Sequence, residues 1–153
     1  ELLARDRARM SVGPVREDDQ ELRDLAVPLN EGLGSAMDVA ALRAPLDAAS
    51  CRYDSQMKGF SLLRLVLTRV MNVAEDEART LLSPLHGANS LRVATSHRTD
   101  RSVAETFAQM GVSAPFGTTR AAWSWLVDSI AASLREMGER FRAGTPGAAA
   151  SST

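Results

Sequence analysis

Two histidines stand among 153 residues, His86 and His97, and each follows an arginine at short range. Arg92 precedes His97 with four residues between them, and Arg79 precedes His86 with six. Imidazole exchanges a proton near neutral pH, so a positioned histidine serves as general base or acid. A guanidinium clamps a phosphate and offsets charge as it develops there. RNA carries its own nucleophile, the 2′-hydroxyl, so a histidine, an arginine and one polar helper suffice for its cleavage without a metal. The stretch Leu91 to Arg101 gathers these parts. Arg92 and His97 are the candidate catalytic pair. Ser96, one turn beyond Arg92, and Arg98 and Arg101 are the candidate substrate contacts.

Five positions turn a helix by about 140°. Arg92 and His97 therefore edge one cleft most easily where their helix frays near His97. The Arg79–His86 pair fits the same loose spacing but encloses Pro84, which argues against a shared helix face. Arg92–His97 is the preferred pair. The bland alternative pairs Arg92 with Asp100 or Glu105 and leaves His97 at a helix C-terminus, where a cation is favoured. Arg98, Asp100 and Arg101 then form a solvated turn rather than a basic lip for an RNA backbone.

Other chemistries find little. Asp18, Asp19 and Glu21, like Glu75, Asp76 and Glu77, fall in first helical turns, where acids complement the helix dipole and fan apart; no metal site is expected from them. Cys51 is the lone cysteine, with no histidine nearby, and reads as an inert thiol. No glycine-rich phosphate loop, serine elbow or zinc spacing occurs, and no cofactor is expected. Trp123 and Trp125 are about 200° apart on a helix and face different neighbours. Trp125 shares its side with Ala121, Ser129 and Ala132, which suits a helix–helix interface, within the chain or between protomers.

Net charge is −1, so no bulk basic field draws nucleic acid or membrane. The cations are 17 arginines and one lysine, Lys58; arginine here partly replaces lysine and does not by itself signal RNA binding. The longest apolar run, residues 60–73, is interrupted by Arg64 and Arg69 and is too short to span a bilayer. No signal peptide is visible. These features, with a single thiol, lead us to expect a cytoplasmic protein without a membrane partner. The chain starts at Glu1, and we expect one domain of a larger protein.

Apolar residues recur at three and four, not at two, so the elements that hold these groups are helices. Residues 1–14 read as an N-terminal segment, the end of a preceding domain or a linker, 15–143 as a helical bundle domain and 144–153 as a flexible tail of small residues. Asp18 and Asp19 open a helix with Leu22, Leu25, Leu29 and Leu33 in one stripe, kinked or split at Pro28 and ended by Gly32 and Gly34. Asp38 caps a short helix stopped before Pro45. Asp47 to Met57 is a loop, and order in it would point to a role. Asp54 or Ser55 caps a helix from Phe60 whose apolar face is wide enough for the centre of the bundle. Asn72, with Glu75 three residues on, reads as the N-cap of the next helix. Pro84 and Gly87 interrupt that helix, and a further one leads to His97. Ser102 or Asp100 caps Val103 to Met110, which ends in a Schellman motif with Gly111 left-handed and Val112 against Phe107. Thr119 opens the last helix, Gly144 closes it, and Trp123, Leu126, Ile130, Met137 and Phe141 form its stripe. The fold class is all-α, a compact bundle of five to seven helices.

The Arg-x4-His spacing late in such a bundle, in the stretch Ser90-Leu-Arg-Val-Ala-Thr-Ser-His97, resembles the HEPN superfamily. The resemblance covers residues 57 to 141; where the superfamily carries a polar residue after the arginine, this chain has Val93. It implies a metal-independent ribonuclease of a bacterial defence or toxin-type system, dimeric, with Arg92 on the phosphate and His97 as acid/base. Its expected partners are RNA and a second copy of the chain, or other domains of a larger chain. The competing class is a non-catalytic oligomerisation or protein-interaction module, in which Trp125 and the 47–57 loop matter more than His97.

Overall fold

The computed structural model describes residues 10–57, 59–97, 102–112 and 116–144, with the side chains of 94–97 outside the description. Among the described residues it is an all-α bundle, with six helices from Asp19 onward. They are α1 (Asp19–Ala36), α2 (Val39–Ala48), α3 (Phe60–Leu65), α4 (Glu75–His97), α5 (Val103–Gln109) and α6 (Thr119–Gly144). A π-helical turn, Val66–Val70, extends α3. No strand occurs among the described residues.

Local chemistry sets most helix starts. The Asp18 carboxylate accepts from the Glu21 amide, and Asp38 accepts from the amides of Ala40 and Ala41. Ser102 and Glu105 form a reciprocal capping box, which satisfies two amides that the helix itself leaves without partners. Thr118 Oγ accepts from Ala121, and the distant Glu17 carboxylate takes the Thr119 amide. The stretch before α1 docks on the same end of α6: the Met10 carbonyl accepts from Trp123 Nε1 at 3.3 Å, and the Pro14 carbonyl from Arg120. The end of α5 is the expected Schellman closure. Gly111 has φ +85°, its amide bonds the Ala108 carbonyl, and the Val112 amide bonds Phe107.

Several breaks expected from the sequence are absent. α1 runs unbroken through Pro28 and past Gly32 and Gly34 to Ala36. α2 passes Pro45 to Ala48, and α4 runs 23 residues through both Pro84 and Gly87. A proline inside a helix removes one hydrogen bond, to the carbonyl four residues back. Burial on both sides offsets that loss. Leu81, Leu82, Leu85 and Ala88 flank Pro84 and lie fully or almost fully in the core.

Two caps move as well. Asp54 accepts from Gln56 and closes a loop turn instead of starting a helix; α3 begins after Gly59, at φ +51°, without a side-chain cap. Asn72 sits at φ +55°, in the left-handed region, at the end of the π turn. The Met71 amide reaches back to Val66 and the Val73 amide to Leu67. This is a Schellman-like closure widened by the π turn, so Asn72 ends one helix rather than starting the next.

The 47–57 loop is ordered by side chains. The Arg43 guanidinium donates to the carbonyls of Ser55 and Met57, and the Tyr53 hydroxyl donates to Asp47 at 2.8 Å.

Among the described residues the core has three clusters. One joins α1, the second half of α4, α5 and the first half of α6. A second joins α3, the first half of α4 and the end of α6 around Leu67, Leu82 and Met137. A third, around Leu46, Leu62 and Val66, seats α2 on α3. The central helix is therefore α4, not the expected segment from Phe60. The wide apolar face of α3 is accounted for by α2 on one side and α4 on the other.

Candidate functional site

The unbroken course of α4 decides which polar groups meet. At about 100° per residue, Arg79, Ser83, His86, Ser90 and position 97 fall within about 60° of one another on an ideal helix. Arg92 falls instead on the stripe of Leu81, Leu85 and Ala88, at i+11, i+7 and i+4, and those three are buried. Because α4 stays helical as far as His97, Arg92 and position 97 lie on different sides of it. The fraying that would have brought them together does not come before His97.

Arg92 is half-buried, and its Nη2 donates to Asn89 Oδ1, one turn back, at 3.2 Å. The side chains of Ser96 and His97 fall outside the description, as do Arg98 and Arg101 altogether. The structure thus fixes the backbone of this expected pair and the side chain of one member.

The other pair does come together. Arg79, Ser83, His86 and Ser90 line one cleft of ≈190 Å³, facing Thr106 and Gln109 of α5. Its floor is Gly87 against Met110, a contact so close that a Cβ on Gly87 would lie 2.0 Å from the methionine sulfur. Gly87, expected as a helix break, is instead where α4 and α5 approach.

The His86 ring meets the Phe60 ring edge-on, with centroids 5.5 Å apart. Its pKa is lowered, first by burial and then by the positive charge of Arg64. Both causes disfavour the imidazolium, so the neutral, proton-accepting form prevails at neutral pH. Arg64 bonds Glu75 at 3.4 Å, and Arg79 bonds Asp76 at 3.1 Å; all four side chains are well exposed. Such pairs contribute only about 0–1 kcal/mol. Either guanidinium can therefore leave its carboxylate for a phosphate at little cost.

The spacing of Arg79 and His86 is visible in the sequence, with Pro84 between them as the argument against a shared face. The remaining signal was legible: polar residues at 79, 83, 86 and 90 keep helical spacing across that proline. Thr106, Gln109 and Arg64 carried no such signal, because only packing brings α5 and α3 to this face.

Trp125 makes its helix–helix contact inside the chain. Its ring lies 5.7 Å from Phe107, edge-on, and 6.0 Å from Phe116. Among the described residues no group of three or more His, Cys, Asp or Glu gathers as a metal site, and no helix is long and apolar enough to cross a membrane. No known protein family, curated protein or solved structure matches this chain.

Proposed function

We propose that this chain is an RNA-directed, HEPN-like domain of a bacterial defence or toxin-type system, working in the cytoplasm, that binds the RNA backbone and cleaves it without a metal. The observation that carries this reading is the cleft in which one unbroken helix places Arg79, Ser83 and His86 together. His86 takes the proton of the 2′-hydroxyl. The oxygen attacks the adjacent phosphorus, the bond to the 5′-oxygen breaks, and a cyclic phosphate and a 5′-hydroxyl result. Arg79 and Arg64 offset the charge that builds on the phosphoryl oxygens. The imidazolium formed at His86 returns its proton, directly or through water, to the departing 5′-oxygen. The active form in this reading is a homodimer. Arg92 and His97, with Ser96, Arg98 and Arg101 on the substrate, are the competing assignment for the same roles.

The test is RNA degradation in EDTA by the wild type, His86→Ala, His97→Ala and Arg79→Ala. Loss of at least about 100-fold in rate is expected for His86→Ala, the usual scale of a general base, with products ending in cyclic phosphate. Loss confined to His97→Ala moves the chemistry to the Arg92–His97 pair. A wild type that leaves RNA intact, or a His86→Ala and a His97→Ala that both cut as fast as it does, sinks the catalytic reading. The second reading, a non-catalytic interaction module, is favoured by one observation, an open apolar groove between α1, α5 and α6.

A further inference from the structure

The groove between α1, α5 and α6 has a volume of ≈480 Å³, within the range of small-molecule sites. Leu22, Val103, Phe107, Phe116 and Ala122 make its walls apolar, and Asp19 and Glu105 stand among its lining groups. Three helices begin here, and a helix start ordinarily invites an anion through its unpaired amides. At this groove four of those amides are taken. Asp18 holds the Glu21 amide, Ser102 the Glu105 amide, Thr118 the Ala121 amide and Glu17 the Thr119 amide. Beside these capped starts the groove presents two carboxylates, those of Asp19 and Glu105. Glu105 uses one oxygen on the Ser102 amide. Asp19 is exposed and has no hydrogen-bond or ion-pair partner among the described residues. Among the described residues, Arg16 bonds Glu21 at 2.9 Å and Arg120 the Pro14 carbonyl.

We infer that this groove is a binding site for a small organic cation with an apolar body, an aryl- or alkylamine, whose body lies against Phe107 and Phe116 and whose ammonium meets Asp19 and Glu105. The two phenylalanines are already edge-on to each other, with centroids 4.9 Å apart. They hold a rigid wall against which an apolar body loses water. The carboxylates then give the site its sign. An anion of the same shape meets two like charges, and a neutral analogue gains only the apolar contact. The site is separate from the His86 cleft and stands or falls independently of RNA.

Trp125 supplies the readout, because it touches both phenylalanines without lining the groove. The probes are phenethylamine, phenethyl alcohol and hydrocinnamate, titrated against tryptophan fluorescence, with amide shifts mapping the site. Phenethylamine is expected to bind saturably and at least about fivefold more tightly than the alcohol, the scale of one near charge in water, with hydrocinnamate weakest. In the double variant Asp19→Asn, Glu105→Gln the preference for the amine falls to near one while the alcohol still binds. Glutamine preserves the capping box, so the variant keeps its helix. Ala108→Phe, at an exposed position lining the groove, abolishes binding of all three. No saturable response to the amine, equal binding of amine and hydrocinnamate, or an amine preference that survives the double variant overturns the inference.

Discussion

Gly87→Ala should destabilise the protein, although alanine is the better helix former, and the sign should reverse when Met110 is shortened. Gly87 lies inside α4, so an alanine there fits the backbone and gains about 1 kcal/mol of helix propensity. Against that, the new Cβ would lie 2.0 Å from Met110 Sδ, 2.9 Å from its Cε and 3.0 Å from its Cγ, whereas ordinary contact begins at 3.4 Å. Three consecutive side-chain atoms are too close, so turning the last torsion alone does not clear them. Methionine is pliable, which places the overpacking toward the middle of its usual range of about 1–3 kcal/mol. With about 2 kcal/mol lost and about 1 gained, Gly87→Ala costs about 1 kcal/mol net. In a Met110→Ala background the clash is gone and the propensity gain of about 1 kcal/mol remains. The coupling in this double-mutant cycle is then about 2 kcal/mol. Urea denaturation followed by far-UV circular dichroism, on the four proteins of the cycle, measures it. A Gly87→Ala that stabilises the otherwise native protein, or that has the same sign in both backgrounds, would refute the close approach of α4 and α5 beneath the His86 cleft.

Two further outcomes follow from the same structure. With Asn72 in the left-handed region at φ +55°, Asn72→Gly should leave stability unchanged or raise it, and Asn72→Ser should lower it by about 1 kcal/mol; at an N-cap, serine would be the tolerated residue and glycine the poorer one, so thermal unfolding of both variants separates the two roles. His86 has a lowered folded pKa, from burial first and Arg64 second; between its folded value and the unfolded value of about 6.5, the unfolded chain binds more proton. Its contribution is therefore fully present above about pH 6.5 and is lost as pH falls through the folded pKa. A stability profile that loses this acid-side slope in His86→Gln, and an imidazole NMR titration that moves up in Arg64→Met yet stays below the ordinary value, are expected. A His86 titrating at or above the ordinary value in the native protein contradicts the environment described for it.

The sequence by itself determined the fold class, because spacing at three and four over most of its length admits no sheet. It also determined those features whose physics is confined to a few adjacent residues. The Asp18 and Asp38 caps, a cap at Ser102 or Asp100, the left-handed Gly111 and the stripe of α6 are of this kind. Each is a bond or contact between neighbours in the chain. It failed where a local preference competed with burial. Pro28, Pro45 and Pro84 each remove one hydrogen bond, and the packing of leucines on either side outweighs that loss. Asn72 suits a cap and a left-handed turn alike, and only the π turn before it chooses.

The same competition decided the candidate site. Arg79 and His86 are seven positions apart, about 10.5 Å along a helix and nearly on one line, provided the helix is whole. Whether it is whole depends on the core around Leu81, Leu82, Leu85 and Ala88, which no local pattern around Pro84 reports. An intact helix also separates Arg92 from position 97, the pair that spacing alone had favoured. Only tertiary structure could supply the α5 wall of the cleft, the glycine floor that admits Met110 and the Arg64 charge that helps keep His86 neutral. Each comes from a residue distant in sequence, brought close by the burial of apolar surface.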